Sequence, residues 1–197
     1  ENIKDNAVNQ ALETIRNRID QFGVSEPVIV KQGGNQVLVQ LPGIEDSQRA
    51  LELVGKTAQL EFKLVDEEGS ARYTGGSVPE GDEVLTLKSR NKETGITTTT
   101  PILLKKQALL SGELLTDARV KIGGEFGNEP YVAIEFNSEG ARIFDKITGE
   151  NVGKRIAIIL DNTVYSAPVV RERISGGKAS ITGGFKMDEA KDLAIVL

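Results

Sequence analysis

Five consecutive apolar residues, Ile156 to Leu160, constrain the fold of this chain most strongly. The run reads IAIIL, which is strand-length and rich in β-branched side chains, and it has no polar position that would face solvent. Asp161 and Asn162 follow it directly, and such a pair is typical of a two-residue β-hairpin turn. The sequence therefore predicts a strand buried on both faces that reverses direction at residues 161–162.

The residues after this turn predict two more strands. Thr163 to Val170 has the composition of a returning strand, and a turn at 175–178 leads into a short strand over Ala179 to Thr182. We expect the three strands to form one meander, which Gly183 and Gly184 end. A closing helix is predicted after them, with its buried face formed by Ala190, Leu193, Ala194 and Leu197.

The N-terminal third predicts two helices and three strands. An amphipathic helix runs from Val8 to Phe22 with Arg18 on a polar face, and a hairpin pairs Val28–Lys31 with Gln36–Leu41. A second helix, Ser47–Val54, is capped by Asp46 and is expected to bury Ala50, Leu51 and Val54, and the strand Ala58–Val65 follows. This order matches a ferredoxin-like domain if one strand preceded Glu1. Because the chain lacks an initiator Met and stops on an apolar helix, we expect it to be a piece of a longer protein.

The middle of the chain changes in composition. Residues 66–82 are rich in Glu, Gly, Ser and Pro without periodicity, which predicts a loop and a domain boundary. Beyond it the sequence predicts four strands and a helix capped by Asn137: Glu83–Lys88, Ile96–Lys105, Ala118–Ile122, Tyr131–Phe136 and the helix Ser138–Thr148.

Composition excludes several functions. The chain has 197 residues, a net charge of -5 and 5% aromatic residues, so it lacks the basic and aromatic surface of a nucleic-acid-binding protein. It contains no His and no Cys, which removes the commonest general base, the commonest metal ligand and all thiol chemistry. We therefore expect no catalytic residue, no metal and no cofactor.

The carboxylate clusters and glycine pairs have ordinary structural explanations. Acidic pairs at 45–46 and 188–189 fall at predicted helix starts, where the helix dipole favours negative charge, and those at 66–68 and 82–83 fall in the predicted loop. Gly183-Gly184 precedes a helix as a phosphate-binding loop would, but no GKS/T or GxGxxG pattern accompanies it. A hinge is the interpretation we prefer there.

Six segments resemble the first periplasmic domain of the SecD family, in the same order along the chain. They are NRIDQFGVSEP (17–27), VQLPGIEDSQRA (39–50), LEFKLV (60–65), NSEGARIF (137–144), NVGKRIAIILDNTVYSAPVV (151–170) and ITGGFKMDEAKDLA (181–194). The resemblance implies an α+β fold with a ferredoxin-like base, at residues 1–66 and 185–197, and an inserted β-rich head at residues 67–184.

The resemblance also implies a function. It points to an extracytoplasmic domain of a membrane-anchored export subunit, whose partners are SecF, the SecYEG channel and unfolded preprotein, and which works in proton-motive-force-driven late translocation. The family's proton-conducting carboxylate lies in segments absent from this chain. A small-ligand-binding enzyme domain of ferredoxin-like fold and a passive extracytoplasmic spacer are the alternatives.

Two sets of candidate residues follow from this model of the function. Binding unfolded polypeptide requires exposed apolar side chains or a free strand edge, and core packing is the alternative role for the apolar candidates. The candidates are Leu109, Leu110, Leu114, Leu115, Phe126 and Tyr131. A head that moves relative to its base requires hinges, and the two crossings between them are Val65-Asp66 and Gly183-Gly184.

Overall fold

The computed structural model describes residues 2–33, 36–56, 59–90, 94–123 and 127–197. The chain is a mixed α/β domain rich in β-sheet, and it divides into two compact units. The smaller unit comprises residues 1–57 and Val196, and the larger comprises residues 58–195 and Leu197. No helix in the described part of the chain is long and apolar enough to cross a membrane.

The smaller unit contains the first four predicted elements in the expected order, while the strand predicted at Ala58–Val65 belongs to the larger unit. Helix α1 (Asn2–Phe22) is followed by the antiparallel hairpin of β1 (Val28–Gln32) and β2 (Gln36–Gln40), then by α2 (Ser47–Gly55). The Asp46 side chain caps α2 by accepting a hydrogen bond from the Arg49 backbone N–H, at 2.9 Å. The prediction that Leu51 faces inward is wrong, because Ala50 and Leu53 form the buried face and Leu51 is 67% exposed.

Arg18 is the other departure in the smaller unit. Its side chain is buried rather than on an exposed polar face of α1. The guanidinium donates to the backbone carbonyls of Leu53, Val54 and Lys56 at the C-terminal end of α2. Those carbonyls have no partner within their own helix, so the buried charge supplies the donors that the helix end requires.

The core of the larger unit is a closed five-stranded barrel. Its strands are β3 (Leu60–Val65), β4 (Asp82–Arg90), β5 (Thr97–Ser111), β8 (Ile156–Leu160) and β9 (Thr163–Ser166), in the order β3-β5-β4-β9-β8. The prediction for Ile156–Leu160 is confirmed, since all five residues are buried. Asp161 and Asn162 have φ of 46° and 63°, as a type I′ hairpin turn requires.

A three-stranded sheet accompanies the barrel. Strands β6 (Leu115–Ile122), β7 (Pro130–Phe136) and β10 (Lys178–Ile181) are ordered β10-β7-β6, and helix α4 (Ser138–Glu150) follows β7 with Asn137 as its cap. The predicted meander is therefore wrong, because β10 pairs with β7 and not with β9. Gly177 makes this crossing possible. Its φ is +67°, and a Cβ there would lie 2.6 Å from the Ala141 Cβ on α4.

The predicted loop at 66–82 also contains regular structure. A short helix, α3 (Glu67–Arg72), is capped by the Asp66 carboxylate, which accepts from the Gly69 backbone N–H at 2.9 Å. Arg155 holds α3 with two hydrogen bonds of 2.7 Å to the Glu67 carboxylate. The last helix, α5 (Met187–Val196), buries Ala190, Leu193 and Val196.

Candidate functional site: a tyrosine-lined groove

The apolar candidates divide between core and surface. Leu110 is 4% exposed and belongs to the core, whereas Leu109, Leu114 and Leu115 are half-buried. The Leu114 carbonyl accepts from the Asn137 N–H at 2.8 Å, and a Cβ at Gly140 of α4 would lie 2.9 Å from the Leu114 Cβ. Leu114 therefore lies where the β5–β6 connection packs against the start of α4. Phe126 lies outside the described residues.

The two predicted hinge positions differ in their surroundings. Val65 is 4% exposed, and its N–H donates to the Arg155 carbonyl at 3.0 Å, so it is fixed within the barrel wall. Asp66 caps α3 and forms an ion pair with Lys105 at 3.2 Å. Gly183 and Gly184 lie instead beside an open groove.

This groove, which we call the tyrosine groove, brings Tyr131 together with Gly183 and Gly184. It has a volume of about 570 Å³ and lies within the larger unit, between the β4 and β9 ends of the barrel and the adjoining ends of β7 and β10. Two of the chain's three tyrosines line it. The lining residues are Leu87–Arg90, Glu129–Tyr131, Tyr165–Ala167 and Thr182–Gly184.

Splaying of two barrel strands opens the groove. Strands β4 and β9 run parallel but pair at only two positions, Thr86 with Thr163 and Leu87 with Val164. Beyond these pairs, residues 88–90 pair with β5 alone among the strands that the structure describes. The groove therefore exposes a stretch of strand edge, which is a template for pairing with another extended chain.

The aromatic wall of the groove is partly buried. The Tyr165 ring lies 6.0 Å from the Phe185 ring, centroid to centroid, and the Lys88 ammonium lies 6.0 Å from the Tyr165 centroid. Burial raises the pKa of the Tyr165 hydroxyl above its ordinary value of 10.0, and the nearby negative charges of Asp161 and Glu189 add to this. The hydroxyl is thus neutral and available as a hydrogen-bond donor near pH 7.

The two glycines lie at the end of the opening between the splayed strands, Gly183 beside Tyr165 and Gly184 beside Arg90. A Cβ at Gly183 would lie 3.0 Å from Cζ of Phe185 and 3.2 Å from the Tyr165 carbonyl oxygen, so a larger residue would displace the aromatic wall. Gly184 has a φ of +62°, which disfavours other residues. In the same groove the Ser166 hydroxyl oxygen is buried without a hydrogen-bond partner among the described residues.

The charged clusters elsewhere in the larger unit are internal ion pairs. Lys105 lies 2.7 Å from the buried Asp82 carboxylate and 3.2 Å from that of Asp66. The backbone N–H of Gly69, together with Asp82 and Lys105, lowers the pKa of Asp66 from 3.8 to about 2. No group of three or more residues able to hold a metal ion occurs in the described ranges. These carboxylates therefore have structural partners, as the cap of α3 and in ion pairs at the strand ends.

Among the residues that line the groove, only Tyr131, Gly183 and Gly184 were predicted as candidates from the sequence. Lys88, Tyr165 and Ser166 are single residues on strands whose apolar pattern predicts only a sheet. The contact that unites them is a parallel pairing of strands distant in sequence, and periodicity carries no information on such pairings. The one available signal was the position of Tyr165, an aromatic residue just after the best-defined hairpin turn in the chain.

Two family models match the chain. Residues 8–67 match the model described as "Protein translocase subunit SecDF, P1 domain, N-terminal", and residues 83–197 match "SecDF, P1 head subdomain". Among curated relatives, the protein translocase subunit SecD of Calditerrivibrio nitroreducens is 56% identical over 99% of this chain and 38% of its own length. That of Syntrophobacter fumaroxidans is 53% identical over 100% of this chain and 37% of its own length.

Two solved structures are also similar. One, described as "Structure and function of a membrane component SecDF that enhances protein export", has 33% identity and a TM-score of 0.70, and the match covers 96% of this chain and 84% of that chain. The other, SecDF in a "Super-membrane-facing form", has 35% identity and a TM-score of 0.73 over 96% of this chain and 25% of that chain. The likeness therefore extends over both units.

Proposed function

We propose a function for this chain on the premise that it belongs to the SecD/SecDF family of protein translocase subunits, in which it corresponds to the P1 domain. The chain spans about two fifths of the length of the curated relatives that it matches. In our proposal it is an extracytoplasmic, chain-binding module that holds unfolded preprotein during the late stage of export. The names of its relatives denote transport and indicate no catalytic activity.

The proposal includes a division of labour within the module. A ferredoxin-like base, residues 1–66 and 185–197, anchors a head formed by residues 67–184. The head moves mainly about Gly183-Gly184, because Val65 and Asp66, at the other crossing, are held by contacts with Arg155, α3 and Lys105. The rest of the full-length protein supplies the membrane anchor, the coupling to the proton-motive force, and contact with SecF and the SecYEG channel. The two family models, which cover residues 8–67 and 83–197, support a division between residues 67 and 83, while the head model itself extends through residues 185–197.

The observation that carries the proposal is the free edge of β4 inside the tyrosine groove. A translocating chain has no fixed sequence, so its receptor must recognise what all unfolded chains share, namely extended backbone and intermittent apolar side chains. The edge at residues 88–90 offers backbone groups that can pair with an extended backbone. The rings of Tyr131 and Tyr165 offer an apolar surface that can contact the apolar side chains. This combination favours sequence-tolerant capture of an extended segment.

Site-specific crosslinking tests the proposal. A photo-reactive amino acid placed at Tyr131 or Tyr165 of the full-length translocase should capture a stalled preprotein, because both positions line the groove. The matched control is Lys106, an exposed position on β5 outside the groove. If neither position gives a crosslink to the preprotein while the translocase still supports export, chain binding at the groove is contradicted and a passive spacer is favoured.

A further inference from the structure

One wall of the tyrosine groove carries an exposed lysine, Lys88. Lys88 is exposed on β4, and its ammonium contacts the Tyr165 ring, but it forms no ion pair with any residue in the described part of the chain. Arg90, two residues along the same strand, differs because it pairs with Glu189 at 3.4 Å. Lys88 is therefore the charge that a ligand in the groove would meet.

The other charges of the groove do not cancel Lys88. Glu129 also lines it, and this residue already interacts with other groups of the protein. Glu189 has two partners: it forms an ion pair with Arg90 and accepts a hydrogen bond of 2.7 Å from the Lys186 backbone N–H. Lys88 is thus the lining cation that pairs with no carboxylate among the described residues, whereas Arg90 pairs with Glu189.

Further exposed lysines lie on the other side of Tyr131, one of them, Lys178, in register with Glu135. A shallow depression of about 340 Å³ lies on the three-stranded sheet and shares Tyr131 with the groove. Lys121, the register partner of Tyr131, and Lys178 are exposed there and form no ion pair among the described residues. The carboxylates of the depression are Asp117, which pairs with Arg119 at 2.8 Å, and Glu135.

We propose that the tyrosine groove selects extended polypeptide segments in which a carboxylate neighbours an aromatic or apolar side chain. The inference rests on the proposed function and adds a specificity to it. The segment's backbone pairs with residues 88–90, its apolar side chain lies between Tyr131 and Tyr165, and its carboxylate faces the Lys88 ammonium. Segments with a basic residue at that position are disfavoured by repulsion from Lys88, while backbone pairing keeps recognition tolerant elsewhere.

Backbone chemistry favours a polypeptide over an anionic membrane surface as the occupant. A strand edge offers alternating N–H donors and C=O acceptors, which another extended chain satisfies and a lipid headgroup does not.

Fluorescence anisotropy with matched peptides tests the selectivity on the 197-residue chain. Short unstructured peptides share one sequence with a central Tyr and differ at the adjacent residue, which is Asp, Asn or Lys. At low ionic strength the Asp peptide should bind about three-fold more tightly than the Lys peptide, as expected for one exposed charge pair, and added salt should shrink the difference. Lys88→Gln should abolish the preference and Lys88→Glu should reverse it. Lys106→Glu, which changes net charge equally outside the groove, should keep it.

The outcomes separate this inference from the proposed function. Binding of all three peptides without a charge preference, or an equal effect of Lys88→Glu and Lys106→Glu, would overturn the selectivity and leave chain binding intact. No binding of any peptide to the wild-type chain would count against chain binding itself, and the selectivity would fall with it. Binding of phosphatidylglycerol vesicles that Lys88→Glu abolishes, with no peptide binding, would assign the cations to a membrane surface instead.

Discussion

The two sides of the barrel are closed in very different ways. On one side β8 pairs with β3 along five consecutive residues, and every residue of β8 is buried. On the other side β4 and β9 share two residue pairs and then separate into a groove lined by tyrosines, glycines and charged residues. We call the boundary between β3 and β8 the closed seam and the boundary between β4 and β9 the open seam. The barrel therefore buries the closed seam, which stabilises the fold, and leaves the open seam available for binding.

Strand β4 shows the same contrast along its own length. Its first residue, Asp82, is 1% exposed and is held by the Lys105 ammonium at 2.7 Å. Its last residues, 88–90, have no strand partner on the groove side among the described strands. One end of β4 is therefore fixed while the other is free to pair, so a ligand can gain backbone hydrogen bonds without the barrel having to unfold.

Truncation of a core residue at the closed seam should have the largest effect. Ile159→Ala removes a side chain that is fully buried in the barrel core, and the cavity should lower the free energy of unfolding by about 3 kcal/mol. Leu87→Ala at the open seam, where the side chain is half-buried, should cost about 1 kcal/mol. Urea denaturation of both variants measures the difference. Equal losses would break the contrast between the seams.

Acid should release the fixed end of β4 with a smaller effect. The pKa of Asp66 is lowered from 3.8 to about 2 in the folded protein, so its contribution to stability is complete above pH 3.8 and is lost as pH falls towards 2. The loss should be about 1 kcal/mol after allowance for solvent screening. Urea midpoints of the wild type and Asp66→Asn, compared over this range, measure it, because Asn can still cap α3 but does not titrate. If the urea midpoints of the wild type and Asp66→Asn fall in parallel as pH is lowered, the Asp66 carboxylate does not stabilise the Asp82 end of β4.

Local sequence signals predicted the buried strand β8 and the turn after it, and they failed for the pairing of β10. The IAIIL run and the Asp161-Asn162 turn specify a buried strand and its reversal through side-chain and backbone preferences that act within a few residues, and both were confirmed. The pairing of β10 with β7 depends on a glycine that allows the chain to pass close to α4, and the predicted meander was wrong for that reason. Nearest-neighbour order was the wrong assumption there.

The burial of a charged side chain, Arg18, was also not predicted from the sequence. Arg18 follows the helical periodicity of a solvent-facing residue, yet the carbonyls at the end of α2 require donors and draw its guanidinium inside. For the candidate site, the sequence pointed to Tyr131, Gly183 and Gly184, which the structure brings into one groove, and to leucines that lie apart from it. The groove-lining residues Lys88 and Tyr165 depend on a long-range parallel pairing that local patterns do not encode.

Backbone hydrogen exchange in the presence of an unfolded peptide tests the central claim most directly. Without peptide, the amides of Ile156–Leu160 should exchange slowly and that of Arg90 faster, because β8 is buried and paired on both sides whereas Arg90 has no strand partner on the groove side among the described strands. Addition of a saturating, unstructured Asp-Tyr peptide should slow exchange at Arg90 and leave β8 unchanged. Binding of the peptide with no added protection at Arg90 would contradict the account, since the free edge of β4 would then take no part in capture.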